Sequence, residues 1–126
     1  MKSFKDIAKI LKALSDETRL KIITLLSFRP HCVCELSNII GFSQPTISRH
    51  LQILAEAGIV NFKKERFFII YYLAPKSEFI EKILETILDT IKDYPFYNNL
   101  IKKTTPTFSF NGVELPSQVK NFKKYL

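Results

Sequence analysis

The chain has 126 residues, 46% hydrophobic and 25% charged, the balance of one water-soluble domain or one domain with an appendage. No apolar run approaches the roughly 18 residues of a membrane span. The N-terminal MKSFKDIAKILKAL scatters lysines among its apolar positions, which excludes a signal peptide and implies a cytoplasmic protein. The formal charge of +7 is uneven: residues 1–74 hold 11 of the 19 Lys/Arg and only 6 of the 12 Asp/Glu, so the basic excess lies in the first half.

Phe4, Ile7, Ala8, Leu11 and Leu14 recur at helical spacing and predict an amphipathic helix over about 3–14. Ser15 or Asp16 can cap a second helix, with Glu17 in its first turn, that runs to about Phe28 and is blocked by Pro30. A short third helix is expected from about Cys32 to Ile40, with Gly41 just past its end. Ser43 can cap a fourth, with Pro45 in its first turn and Gly58 at its end. The period then changes. Ile59–Lys64 and Phe67–Leu73 are rich in β-branched and aromatic residues and read as a hairpin around Glu65 and Arg66. Phe79, Ile80, Ile83, Leu84, Ile87, Leu88 and Ile91 stripe a long helix ending near Pro95. Asn111-Gly112 between alternating segments predicts a second hairpin over 108–115, and a basic helix is expected at about 117–125.

The fourth helix carries the functional signal. Ile47, Leu51 and Leu54 mark a buried side, while Pro45, Arg49 and Gln52 point away, with Thr46 and Ser48 on the flanks. Hydrogen-bonding groups with almost no acidic charge suit a helix lying in the major groove of DNA. A solvated polar face is the commoner meaning of such a surface. Here a short helix and turn precede it, and a hairpin tipped with Lys63, Lys64 and Arg66 follows, positive side chains on a ribbon that suit phosphates or the minor groove.

Four stretches occur in an order similar to that of the ArsR/SmtB winged-helix repressors: Leu11-Lys12-Ala13-Leu14-Ser15-Asp16-Glu17-Thr18-Arg19-Leu20, Cys32-Val33-Cys34-Glu35-Leu36, Ser43 through Leu51, and Leu54 through Val60. The resemblance covers residues about 10–73. It implies a mainly α fold with a β-hairpin wing: a dimeric winged helix-turn-helix, assigned to residues 1–94, followed by an extension over 95–126 without an assigned role. It also implies a homodimer joined through the first and last long helices, repression by binding double-stranded operator DNA, and release by an effector. Ser43, Gln44, Thr46, Ser48 and Arg49 would face DNA, and Lys63, Lys64 and Arg66 would form the wing. His50 lies beside Ile47 and Leu51 and reads as a packed, hydrogen-bonded histidine rather than a base reader.

Cys32 and Cys34 are the only cysteines, and in a reducing cytoplasm they are expected as thiols. They match the Cys-Val-Cys box of the family's arsenic and soft-metal sensors. Ser37 stands where a third cysteine often follows, so the implied site has two thiolates, completed by His31, solvent or an exogenous thiol. On a helical wheel Val33, Leu36 and Ile40 form the buried face, Cys32 lies at its edge and Cys34 outside it. Helical residues two apart diverge by about 200°, so joint ligation would require local unwinding. Arsenite is the leading effector, with a soft metal ion next, and no cofactor is required. The family's other metal site, on the last long helix, is disfavoured: that helix carries Glu81, Glu85 and Asp89 but no histidine, and its acids read as a solvated face paired with Lys82 and Lys92. No phosphate loop or nucleophile motif supports an enzyme. The competing readings are a thiol redox sensor using the same cysteines and an effector-independent DNA-binding protein.

Overall fold

A computed structural model describes residues 3–104. The first helix, α1 (Phe4–Leu14), is capped by Ser3, whose hydroxyl accepts from the Asp6 N–H. The second, α2 (Glu17–Phe28), is capped by Asp16, which accepts from the Arg19 N–H at 3.0 Å. Arg19 then reaches back across the junction. Its guanidinium donates to the carbonyls of Ala13 (2.7 Å) and of Lys12 (3.2 Å), the latter also accepting from the Ser15 N–H, and so ties α2 to the end of α1.

After Pro30 the chain forms a strand of two residues, β1 (His31–Cys32), then α3 (Val33–Ile40). Gly41 ends α3 at φ +92°, a left-handed conformation that a side chain rarely adopts. Ser43 caps α4 (Gln44–Glu56). Two longer strands follow, β2 (Val60–Lys64) and β3 (Ile69–Leu73), antiparallel in the register Val60↔Leu73 to Lys64↔Ile69. β1 pairs with the other edge of β3, giving a three-stranded sheet of order β1-β3-β2. Ser77 caps α5 (Glu78–Ile91), and α6 (Pro95–Lys102) packs on α2.

One core joins these elements. Ile22, Ile23 and Leu25 of α2, Leu36 of α3, Ile47, Leu51 and Leu54 of α4, Leu73 of β3 and Leu84 of α5 are buried to 1% exposure or less. The apolar positions read from periodicity pack as expected in α4, but in α1 the buried residues are Ile10, Ala13 and Leu14, while Phe4, Ala8 and Leu11 of the expected stripe are exposed. β1 was not foreseen, because two residues carry no alternation to detect. It takes Cys32 from the expected third helix, which begins at Val33. The second hairpin strand begins at Ile69 instead of Phe67, since Glu65–Phe68 close the loop through a 2.8 Å bond from the Glu65 N–H to the Phe68 carbonyl. α6 lies past residue 94, where the sequence reading ended the domain. The expected hairpin at 108–115 and helix at 117–125 fall outside the described residues.

Candidate nucleic-acid interface and thiol site

α4 presents its polar face outward. Ile47, Leu51 and Leu54 are fully buried, Ser43, Gln44, Pro45, Arg49 and Gln52 are exposed, and Thr46 and Ser48 are half-buried. No acidic residue occupies its first turn, so its positive end is uncompensated. The Ser43 hydroxyl accepts from the Thr46 N–H (3.4 Å) and donates to the Thr46 hydroxyl (3.0 Å), so both side chains also shape the start of this helix.

His50 is half-buried and accepts at Nδ1 from the Arg19 guanidinium at 3.1 Å. A guanidinium only donates, so the ring must present a lone pair there. Asp16 lies 3.8 Å from the same nitrogen, its carboxyl held below the usual range chiefly by the Arg19 N–H it accepts. This makes His50 the packed, hydrogen-bonded residue that the sequence implies, and ties α4 to the α1–α2 junction.

On the hairpin, Lys64 and Arg66 are exposed, whereas Lys63 is half-buried and paired with Glu65 at 3.7 Å. The three basic residues named from sequence thus share one hairpin but not one environment.

At the other end of α3, Cys32 and Cys34 are joined in a disulfide, with Cα atoms 5.4 Å apart. This corrects two expectations, free thiols and the need for unwinding. Cys32 is the extended N-cap residue (φ −78°, ψ 161°), so the chain turns from strand to helix at that point and brings the two side chains together without breaking a helical turn. The wheel also misplaces Cys32, which is fully buried at the end of β1, while Cys34 is exposed.

Cys32 Sγ accepts from the Glu35 N–H, and Glu35 Oε1 accepts from the Cys32 N–H, each at 3.3 Å: a reciprocal capping box. Arg29 grips the same carboxylate with both terminal nitrogens, at 2.7 and 3.3 Å, and donates at 3.2 Å to the Thr104 carbonyl beyond α6. Sequence reasoning missed Arg29 and Glu35; the capping-box spacing was the available signal.

His31 donates from Nδ1 to the Arg29 carbonyl at 2.8 Å, and its Nε2 is buried without a hydrogen-bond partner. Burial, reinforced by the Arg29 charge, lowers its pKa to about 4. Consecutive strand residues point to opposite faces, so His31 is directed away from Cys32. Among the described residues no three His, Cys, Asp or Glu converge into a metal-holding group, so His31 is not brought in as a third ligand. On α5 Glu85 and Asp89 are exposed and Glu81 is half-buried; Lys92 pairs with Asp89 (3.2 Å) as expected, whereas Lys82 pairs with Glu78 (3.1 Å).

An open cleft of about 660 Å³ is lined by Cys34, Ser37, Gly41, Ser43 and Gln44 among others. Exposed Cys34 and the start of α4 therefore border the same space. Ser37 donates to the Phe42 carbonyl at 2.5 Å, tying α3 to the turn between them.

A three-helix core closed by a turn-linked helix pair and a basic hairpin defines a winged helix-turn-helix, the architecture of a DNA-binding transcriptional regulator. Residues 16–61 match the bacterial regulatory protein, arsR family. The chain is 42% identical over 81 residues to a cadmium resistance transcriptional regulatory protein CadC homolog of Staphylococcus aureus, covering 64% of this chain and 65%, just under two thirds, of that relative. It is 38% identical over 85 residues to an arsenical resistance operon repressor of Staphylococcus xylosus, covering 68% of this chain and 80% of the relative. Among solved structures it is similar to reduced HlyU from Vibrio cholerae (TM-score 0.60, 31% identity, 68% of this chain and 88% of that one). It is also similar to the transcriptional repressor BigR from Xylella fastidiosa (TM-score 0.60, 29% identity, 71% and 86%). The chain belongs to the ArsR family. It is a regulator, not an enzyme, and no helix among the described residues is long and apolar enough to cross a membrane.

Proposed function

We propose that the protein is a cytoplasmic repressor that binds an inverted-repeat operator as a homodimer and is released when a thiophilic effector, arsenite first among them, closes on Cys32 and Cys34. The observation that carries the effector reading is the cleft shared by Cys34 with Ser43 and Gln44. Soft thiolates suit a soft acceptor. An ion held by the reduced pair would load the cap of α3, and Ser37 would pass the displacement to the turn ahead of the recognition helix. Relatives named for arsenical and cadmium resistance support the effector class.

In this reading Ser43, Gln44, Thr46, Ser48 and Arg49 contact bases and nearby phosphates, and Lys63, Lys64 and Arg66 contact the flanking backbone. The dimer reading rests on Phe4, 92% exposed, and Leu11, 49% exposed, together with half-buried Ile83, Ile87 and Ile91. Ile80 and Leu84 belong to the protomer's own core and are not available to a partner.

The disulfide favours a second reading, a redox switch at the same pair. Two thiols would join with loss of two protons and two electrons to an oxidant such as a peroxide. One experiment tests both: binding of reduced protein to a duplex selected from a random-sequence pool, against a scrambled duplex, with arsenite, cadmium or peroxide added. Specific binding abolished by arsenite supports the first reading, and release by peroxide alone supports the second. Equal affinity for both duplexes overturns the operator reading.

A further inference from the structure

Phe67 stands at the tip of the β2–β3 hairpin with 86% of its surface exposed. Neither the fold nor the turn accounts for it. It is not part of the core cluster, and the turn contains no positive-φ residue, so its backbone makes no special demand on the side chain. Hairpin tips ordinarily carry Gly, Asn, Asp, Ser or Pro, each for a backbone reason, and an aromatic ring supplies none of those. A residue that breaks a local rule without helping the fold marks a place shaped by function.

The surroundings of Phe67 specify its occupant. The Arg66 guanidinium lies over the ring, 5.8 Å from its centroid, and Lys64 is exposed on the same hairpin. The Arg66 cation on the ring and the exposed Lys64 of the same hairpin, with the Glu65 carboxylate paired to Lys63 at 3.7 Å, repel a second copy of the same tip and complement a polyanion. The neighbouring Phe62 is less exposed, at 42%, and its ring packs on Tyr71 at 5.4 Å. The tip thus presents one highly exposed ring with Arg66 against it and Lys64 exposed on the same hairpin.

We infer that Phe67 is a wedge that enters the minor groove of the operator and partly unstacks one base step, while Arg66 and Lys64 hold the phosphates on either side. This rests on the DNA-binding reading above and deepens it by adding shape-dependent specificity. Apolar side chains inserted between base pairs kink the duplex, so flexible pyrimidine–purine steps should be preferred at the wing position.

The test compares wild type, Phe67→Ala, Phe67→Leu and Lys64→Ala on the selected duplex, with 2-aminopurine placed at the flanking step and end-to-end energy transfer reporting the bend. Phe67→Ala is expected to lose roughly tenfold in affinity, together with the 2-aminopurine signal and the bend, without changing the slope of affinity against salt. Phe67→Leu should retain most of the bend, and thermal melting should be unchanged in both because the ring is solvent-exposed. Lys64→Ala should flatten the salt slope by about one and keep the 2-aminopurine signal. If Phe67→Ala matches wild type in affinity, bend and base signal while Lys64→Ala weakens binding, the wedge is overturned and the DNA-binding reading stands. If the wild-type protein selects no duplex, both fall.

Discussion

The two ends of α3 are held in opposite ways. At its start, Glu35 caps Cys32, pairs with Arg29 through two bonds and thereby reaches Thr104, with both charged side chains less than one-fifth exposed. At its finish, the glycine turn is held to the helix by the backbone bond that closes Gly41 and by one side-chain bond, from Ser37 to Phe42, near the surface. The Cys32–Cys34 pair sits at the firm end and the recognition helix begins at the soft end. In the proposed switch, a strain introduced at the cysteines would yield mainly at the turn, where the least is given up.

The contrast can be broken first at the firm end. Glu35→Gln keeps an oxygen for the Cys32 N–H but leaves the Arg29 charge without its counter-ion in a poorly solvated place. Unfolding in urea should show a loss of about 3 kcal/mol, and an unchanged midpoint would mean that this end is not anchored by charge.

Acid weakens the same end through His31. Its folded-state pKa of about 4 lies below the ordinary 6.5 of the unfolded chain, so only the unfolded state takes up the proton between those values. The contribution of neutral His31 is complete above about pH 6.5 and is lost as pH falls toward 4, to a total of roughly 3 kcal/mol. Urea unfolding from pH 7 to 4 should show this decline, and His31→Phe should remove most of it.

The smallest effect is expected at the soft end. Ser37→Cys places a third sulfur one turn from Cys34 but gives up the bond to Phe42, for a change of roughly 1 kcal/mol. Arsenite should bind more tightly, and operator affinity without arsenite should fall by a few-fold. Tighter operator binding would show that the Ser37 bond does not steady the turn.

Much of this arrangement was legible in the sequence because it is periodic and local. Ile47, Leu51 and Leu54 declare which side of α4 is buried, and that alone leaves Arg49 facing out. Gly41 and Ser43 announce a helix stop and start within three residues. What escaped depends on short or distant pairing. β1 is too brief to alternate, yet it decides that Cys32 is extended and can meet Cys34. The bond from Arg29 to Thr104 joins positions 75 apart, and no local pattern signals it. The exposure of Phe67 depended on where the hairpin loop falls, two residues later than composition implied.

In the proposed switch, closing an ion on Cys32 and Cys34 disfavours the DNA-bound arrangement of the recognition helix. Linkage makes it measurable from the opposite side: arsenite affinity of the reduced protein, by calorimetry, with and without saturating operator duplex. Operator-bound protein should bind arsenite more weakly, by the same factor by which arsenite weakens operator binding. Equal arsenite affinity in the two samples would contradict the account, as would a Cys32→Ser, Cys34→Ser double variant that still leaves the operator when arsenite is added.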